Sequence, residues 1–287
     1  MKRILMPVLA GAGLCLAQLT AHAQTFKTHV TKEFTGNINA VAICNLNGDV
    51  KVEGYAGNKV LIEIDETITG DDAKGLEDGK KEFKLGFEQK ADTVVAYTAY
   101  PYDTRPQHHW HNRYNDDGDN HQNYQVKLSY VVKVPNNAAL YASTVNDGEI
   151  DVKNVYGALR INNVNGGIAI ANAKGTTSAH TVNGPVTATY IGLPPGASSY
   201  YSVNGELNCT YPGNLSADVE FKSMNGQFFT DFQDAEVMPS KITKSETKNG
   251  RGTTYKLNKA SDVRFGSGGK TFKFETLNGN IYIKKQK

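Results

Sequence analysis

The amino-acid sequence predicts an all-β protein, a single-domain β-solenoid of the parallel β-helix or β-roll type. Apolar and polar residues alternate over short runs, which is typical of half-buried strands, and no long stretch keeps an apolar face at helical spacing. A short phrase, in which an apolar residue precedes Asn-Gly or Asn-Asp-Gly, occurs seven times. Its return about every 20 residues favours stacked coils over independent hairpins.

The chain begins with a segment that is predicted to be a secretory signal peptide, residues 1–23. Two basic residues precede an apolar run, and Ala21-His22-Ala23 fits the small-x-small cleavage pattern. Cleavage would leave Gln24 at the start of a mature domain, residues 24–287. No later segment is long and apolar enough to cross a membrane. We therefore expect an exported protein that is periplasmic, on the outer surface or secreted.

Each copy of the repeat carries an asparagine at its corner. These residues are Asn47, Asn146, Asn165, Asn183, Asn204, Asn225 and Asn278. The central intervals between them are 19, 18, 21 and 21 residues, whereas 99 residues separate the first two copies and 53 the last two. Glycine adopts positive φ at low cost and asparagine tolerates it. Each copy therefore predicts a strand, a structural turn at the asparagine and a second strand.

Side-chain types recur at fixed positions around each corner. The residues two and four positions after the glycine are mostly apolar, and the residue before the apolar anchor is Asn, Ser or Thr. Equivalent residues of stacked coils lie about 4.8 Å apart. Val, Ile and Leu would then form interior ladders, and the polar positions would bond along the stack. An antiparallel barrel or sandwich is the alternative architecture.

An insertion at about 55–135 interrupts the period near the N-terminal end. It contains longer alternating runs, of which Tyr124–Val134 is the clearest. These runs predict an antiparallel sheet that caps or flanks the first coil, because an open end of a solenoid is an unpaired strand edge. Residues 71–81 are predicted to be a polar connection with room for one helical turn.

A second insertion, at about 233–270, is rich in Lys, Thr, Ser and Gly. This composition predicts a long loop or hairpin that bulges from the stack. The final repeat follows the insertion and carries Lys284 and Lys285 after its apolar residues. These charges predict that the last strand is exposed.

A loop at 103–124 contains the most distinctive side chains. Its histidines are candidate ligands of a divalent metal, because imidazole suits Zn, Cu and Ni. They are His108, His109, His111 and His121. Asp116, Asp117 and Asp119 are of the type that binds Ca²⁺, but the glutamate of an EF-hand is missing. The spacing matches no closed metal site, so a hydrophilic connection without a ligand and a direct contact with a partner are alternatives.

Catalytic motifs are missing from the sequence, which has no nucleophile elbow, P-loop or H-E-x-x-H. Glu149 and Asp151 are predicted on an outward face, where β-helix polysaccharide enzymes place their acids, but no acidic ladder recurs. We therefore predict no enzymatic activity, no catalytic residues and no cofactor apart from a metal at the histidines. The net charge of +2 without a basic stripe argues against nucleic acid as a partner.

The mature chain contains two cysteines, Cys44 and Cys209. An oxidising compartment permits a disulfide, but two cysteines do not make a disulfide framework. The repeat alignment places them at different positions of distant repeats. We expect two unpaired thiols.

Repeated T-V-N-G-x-I-x-V units after a Y-x-V-x-V-P strand, with a signal peptide, resemble the bacterial "putative adhesin" family of cell-envelope β-solenoid proteins, a domain of unknown function. The matching pieces are Tyr130–Pro135, STVNDGEIDV, NNVNGGIAI, HTVNGPVTA and TLNGNIYIKK. The resemblance covers about residues 36–287 and implies a β-solenoid fold and an adhesin-type function, with no catalytic residues. The His-rich loop is not part of the pattern.

The sequence thus predicts a non-enzymatic cell-envelope protein, an adhesin or scaffold with a repetitive surface. Its expected partner is an envelope or surface protein or a glycan. The alternative is a periplasmic metal- or ligand-binding protein that uses the loop 103–124. A polysaccharide-acting β-helix enzyme is a third, less favoured interpretation.

Overall fold

A computed structural model describes residues 24–106, 122–239, 242–249, 252–259 and 261–287. These residues form two large β-sheets, so the all-β prediction is confirmed. We call the ten-stranded sheet A and the eleven-stranded sheet B. The inward side chains of both sheets form one hydrophobic core between them.

The elements follow one another along the chain in three groups. The first group is β1 (Gln24–Phe34), β2 (Ala40–Cys44), β3 (Val50–Tyr55), β4 (Val60–Gly70), α1 (Ala73–Glu82), β5 (Lys84–Lys90), β6 (Thr93–Tyr100) and β7 (Tyr124–Pro135). The second is β8 (Ala139–Ser143), β9 (Ile150–Lys153), β10 (Leu159–Asn162), β11 (Ile168–Ala173), β12 (Thr177–His180), β13 (Val186–Tyr190), β14 (Ser198–Asn204) and β15 (Leu207–Tyr211). The third is β16 (Ala217–Asn225), β17 (Phe228–Thr230), β18 (Glu236–Met238), β19 (Ile242–Asn249), β20 (Gly252–Lys259), β21 (Ser261–Phe265), β22 (Lys270–Asn278) and β23 (Ile281–Lys285).

Parallel strands from the repeats make up the centre of both sheets. The strand before each corner belongs to sheet B and the strand after it to sheet A, and we call one such pair with its corner a rung. Sheet A runs β7-β3-β9-β11-β13-β15-β23-β17 with every neighbouring pair parallel. Sheet B runs β6-β2-β8-β10-β12-β14-β22-β16, again parallel throughout. Antiparallel strands flank both runs, so the sheets are mixed.

The pairing register joins equivalent positions of the seven repeats. The residues two positions after each corner glycine form one continuous row in sheet A, which in spatial order is Val50, Ile150, Ile168, Val186, Leu207, Ile281 and Phe228. Six of the seven are buried and Phe228 is partly buried. Burial of these rows supplies the main driving force for stacking, since one rung cannot cover its own apolar face.

The apolar anchors that precede the corner asparagines differ from the expected interior ladders. They lie on the outside of the corners, where Val182 is 37% exposed and Met224 is 69% exposed. The reason is local, because the polar residue before each anchor, which is buried in six of the seven repeats, turns inward and so directs the next side chain outward.

The order of rungs in space is not their order in the sequence. The last repeat, β22 and β23, lies between the rung of β14 and β15 and the rung of β16 and β17. The prediction of an exposed last strand was therefore wrong, because β23 pairs with β15 on one side and β17 on the other. Lys284 and Lys285 do not prevent this pairing, since their side chains are exposed and the pairing uses the backbone groups of β23.

The first insertion continues the two sheets instead of forming a separate one. β7 pairs parallel with β3 and antiparallel with β4, while β6 pairs parallel with β2 and antiparallel with β5. β1 pairs antiparallel with β4 and forms the edge of sheet A. The insertion thus covers the open edge of the first repeat, as expected. It does so with β6 and β7, which pair parallel with β2 and β3.

The polar connection predicted at 71–81 is largely a helix. Asp72 caps α1, because its Oδ1 accepts a hydrogen bond of 2.7 Å from the backbone N–H of Gly75. Gly79 allows close packing, since a Cβ there would lie 2.8 Å from Cγ2 of Ile68. Two glycines and the lack of a wide apolar stripe conceal this helix from sequence patterns. Among the described residues, no helix has the length and apolar character needed to span a membrane.

The second insertion contributes two kinds of strand. β18 and β21 add antiparallel strands to the edge of sheet B. β19 and β20 pair with each other as a separate two-stranded hairpin.

Candidate binding surface

The corner asparagines form a continuous ladder of side-chain hydrogen bonds. In each step Nδ2 of one asparagine donates to Oδ1 of the asparagine that precedes it in the stack, over 2.7 to 3.1 Å. The ladder runs through Asn47, Asn146, Asn165, Asn183, Asn204, Asn278 and Asn225. At its first end, Nδ2 of Asn47 donates to the carbonyl of Val126 over 3.1 Å. The ladder follows the stacking order, so the two long sequence intervals do not interrupt it.

A second ladder lies directly inside the first. The polar residue before each anchor donates to the carbonyl of a corner glycine in a neighbouring rung, as Thr181 Oγ1 does to Gly166 at 2.8 Å. The other donors are Asn45, Thr144, Asn163, Ser202, Ser223 and Thr276. Asn45 differs slightly, because it reaches the carbonyl of Leu128 in β7. Carbonyl groups at the corners are thus satisfied within the protein, which indicates a structural role.

Close approach of the backbones explains the glycine at most corners. A Cβ at Gly166 would lie 2.1 Å from the carbonyl oxygen of Gly148, and a Cβ at Gly205 would lie 1.9 Å from that of Gly184. A positive φ explains the glycine at fewer corners, one of which is Gly48 with a φ of +106°. The corner asparagines are not among the residues with positive φ. Asparagine is therefore required for its side-chain amide rather than for backbone conformation.

The His-rich loop falls outside the described residues. This applies to His108, His109, His111 and His121 and to Asp116, Asp117 and Asp119. Within the described ranges, no group of three or more His, Cys, Asp and Glu side chains is placed to hold a metal ion.

The start of this loop is fixed to sheet B by a charged cluster. Arg105 contacts Glu88 through Nη1 at 2.5 Å and Asp103 through Nε at 3.0 Å, and its guanidinium lies 4.3 Å from the ring centre of Tyr97. Hydrogen bonds from Lys90 and Tyr97, together with Arg105, lower the pKa of Glu88. Thr104 adds a hydrogen bond of 2.7 Å to the carbonyl of Cys44.

A cleft of about 640 Å³ lies beside the loop. Pro101 and Tyr102, which directly precede the loop, and Gln122, near its C-terminal end, line this cleft. The remaining walls come from sheet A and the first corners, and carry mainly hydroxyl and amide groups, among them Thr67 and Thr69. The cleft combines these groups with apolar side chains such as Phe83 and Leu128, so it can donate and accept hydrogen bonds beside an apolar surface.

A smaller depression of about 230 Å³ lies in sheet B where the strands β10, β12, β14 and β22 begin. Its lining is rich in hydroxyl groups, which belong to Thr176, Thr177, Ser178, Ser198, Ser199 and Thr271. Lys273 lies at the β22 side. The strands β10, β12, β14 and β22 align Arg160, Ser178, Ser199 and Lys273 in one row across the sheet. We call these four residues the Arg-Ser-Ser-Lys row.

His180 lies beside this row. Its Nε2 is 3.4 Å from Ser178 Oγ and 3.3 Å from Ser199 Oγ, and its ring packs edge-on against Tyr201 with centroids 6.0 Å apart. Burial, and secondarily the charge of Arg160, lower the pKa of His180. Within the described part of the chain no carboxylate orients this imidazole, so the serines and histidine lack the third group of a catalytic triad.

No continuous sequence motif predicts the Arg-Ser-Ser-Lys row. A usable signal was present, because each of the four residues stands five positions before a corner asparagine. Stacking in register therefore places them side by side. A motif within one continuous segment cannot reveal this row, because its four residues come from four different repeats.

The two cysteines, Cys44 and Cys209, are free and buried, in agreement with the expectation of unpaired thiols. Burial raises the pKa of Cys44 to about 12 and also raises the pKa of Cys209. Both remain protonated at neutral pH and are therefore poor nucleophiles and poor metal ligands.

Comparisons with known proteins find similar structures only. No protein-family model and no curated protein matches the chain. A "putative cell adhesion protein" from Clostridium sporogenes has a TM-score of 0.39 and 9% identity, covering 91% of this chain and 100% of that one. A "putative adhesin" from Bacteroides fragilis has a TM-score of 0.29 and 9% identity, with coverage of 90% and 97%. A "putative lipid binding protein" from Parabacteroides distasonis has a TM-score of 0.25 and 12% identity, with coverage of 90% and 97%. Similarity at this level assigns neither a family nor a function to this chain.

Proposed function

We propose that the protein is an exported, non-enzymatic adhesin or scaffold of the cell envelope, and that its stacked rungs constitute a β-solenoid. The observation that carries this proposal is the asparagine ladder, which passes without interruption through all seven repeats. A ladder of this kind holds successive rungs in one register. Outward side chains then form straight rows at a constant spacing of about 4.8 Å.

Such rows suit an extended partner better than a small substrate. A surface protein or a glycan can contact several rungs at once, and many weak contacts then add to a useful affinity. The cleft of about 640 Å³ also differs from a glycosidase site, because Asp147 is the one carboxylate among the described residues that line it. Glycoside hydrolysis ordinarily uses two carboxylates on opposite sides of the bond.

Adhesion of coated beads tests this proposal. Beads that carry residues 24–287 should attach to bacterial or host cell surfaces more strongly than beads coated with albumin. A matched bead that carries heat-denatured protein should lose this attachment, because the rows exist only in the folded stack. Attachment no stronger than that of albumin on every surface tried, or hydrolysis of polysaccharides by the purified protein, would refute the proposal.

A second candidate function is metal or ligand binding by the loop 103–124. One observation favours it, since Pro101 and Tyr102, which directly precede the loop, and Gln122, within it, line the cleft of about 640 Å³. Metal analysis of the purified protein should then find one Zn, Cu or Ni per chain. Replacement of His108, His109 and His111 by alanine should abolish the metal, whereas His29→Ala, in the exposed edge strand β1, should retain it. Metal content unaffected by the triple replacement excludes this candidate.

A further inference from the structure

The Arg-Ser-Ser-Lys row has the geometry of a shallow anion site on a sheet. Arg160 and Lys273 are three strand spacings apart, which corresponds to about 14 Å between their Cα atoms. The residues between them are Ser178 and Ser199, whose short side chains leave the depression of about 230 Å³. Lys273 borders this hydroxyl-lined space, and Arg160 stands at the other end of the row, where its guanidinium lies over the ring of Tyr141.

Both cations are available to a ligand. Arg160 is exposed and its guanidinium lies 5.9 Å from the ring centre of Tyr141, and within the described residues it forms no ion pair with a carboxylate. Lys273 Nζ is 3.7 Å from Glu220 Oε2, and both side chains are largely solvent-exposed. Such a long, exposed pair contributes little and is easily exchanged for a ligand.

The surrounding groups define the class of ligand. Arginine binds carboxylate and sulfate oxygens through two parallel N–H donors, and lysine adds a point charge. The serine and threonine hydroxyls can both donate and accept, which matches the hydroxyl groups of a sugar. Tyr141 and Tyr201 present exposed or half-exposed rings next to the row, against which the apolar face of a sugar ring can pack.

We propose that this face of sheet B binds an acidic saccharide that spans the row, with one anionic group at Arg160 and another at Lys273. Its hydroxyl groups bond to Ser178 and Ser199. This proposal rests on the proposed adhesin function and specifies its partner as a carboxylated or sulfated glycan.

Binding to defined polysaccharides provides the test. Oligogalacturonate carries a carboxylate on every sugar, and its methyl ester is the same chain without the charge. Calorimetry at physiological ionic strength should detect oligogalacturonate but not the ester. Dextran sulfate forms a second arm, and the arm that binds more tightly identifies carboxylate or sulfate as the preferred group. Equal binding of the ester and the acid, or no binding in either charged arm, refutes the proposal.

A pair of double variants separates a specific site from general attraction. Arg160→Gln with Lys273→Gln should weaken binding by about ten- to a hundred-fold, as expected for the loss of hydrogen bonds to a charged group. Lys51→Gln with Lys153→Gln removes the same charge from the exposed outward face of sheet A and should leave binding unchanged. An equal loss in both variants means that the attraction is non-specific and overturns the proposal.

The same variants distinguish this site from the adhesin function itself. Beads coated with the Arg160→Gln and Lys273→Gln variant should lose attachment to surfaces rich in acidic glycans. Full attachment of these beads would refute the site while leaving the adhesin function intact. Absence of attachment by the wild-type beads would refute both.

Discussion

Each corner asparagine is held by its position in the ladder, so the cost of removing one depends on how many ladder bonds it makes. Asn183 donates to Asn165 and accepts from Asn204, each over 2.9 Å. Asn183→Ala should lower the free energy of unfolding by about 1–2 kcal/mol, because two exposed hydrogen bonds are lost. Asn225 stands at the end of the ladder with one bond to Asn278, so Asn225→Ala should cost roughly half as much. Urea denaturation measures both, and equal costs would show that the ladder bonds do not carry the effect.

Adjacent glycines in one repeat should respond very differently to the same substitution. Gly166→Ala places a methyl group 2.1 Å from a backbone carbonyl oxygen that cannot move without shifting the next rung. Gly167→Ala meets nothing closer than 3.5 Å. We expect a loss of about 3 kcal/mol or more for Gly166→Ala and little change for Gly167→Ala, measured as denaturation midpoints. Similar losses for both would contradict the role of close approach. The sequence shows two equivalent glycines, and only the stacking distinguishes them.

At the level of elements, the last repeat holds the preceding two together. β22 pairs with β14 and β16, and β23 pairs with β15 and β17. Deletion of residues 270–287 should therefore prevent cooperative folding, whereas removal of a terminal rung would leave the rest of the stack paired. Circular dichroism and gel filtration measure the result, and a cooperatively folded, monomeric truncation would contradict the observed order of rungs.

The hairpin of β19 and β20 provides the matched control for that deletion. These strands pair only with each other among the described strands. Replacement of residues 242–259 by a short Gly-Ser linker should leave the melting temperature nearly unchanged, since lengthening or shortening a loop costs little. A large loss of stability on this replacement would mean that the hairpin supports the stack.

For the whole molecule, the repeat alignment predicts the all-β class and identifies which residues are equivalent, because side chains recur wherever rungs share a register. It does not predict the spatial order of the rungs. An open edge of a parallel sheet accepts any strand of suitable length and apolar pattern, so Ile281 pairs as readily with Leu207 as Phe228 would. The Arg-Ser-Ser-Lys row was missed for a related reason. Arg160 and Lys273 are remote in sequence and come to stand in one row across sheet B only after the rungs are ordered.

The core between the sheets contains a cluster of tyrosines that couples the stability of the entire stack to alkaline pH. Tyr190, Tyr200 and Tyr211 are fully buried, the rings of Tyr190 and Tyr211 stack at 4.9 Å, and the hydroxyl of Tyr211 donates to that of Tyr200 over 3.1 Å. Burial raises the pKa of all three, so the folded state keeps them protonated where the unfolded chain would ionise.

This difference in pKa gives the direction of the pH effect. The stability that the protonated tyrosines contribute is fully present below the pKa of an unfolded tyrosine, about 10, and is lost as the pH rises above it. Above that pH, each buried tyrosine should reduce the free energy of unfolding by about 1.4 kcal/mol per pH unit. The three together should reduce it by about 4 kcal/mol per pH unit. Phenolate absorbance of these residues should therefore appear together with the loss of the circular dichroism of the strands, in one transition. Ionisation of all tyrosines with the strand signal intact would show that the cluster is open to solvent and that the two sheets do not enclose a common core.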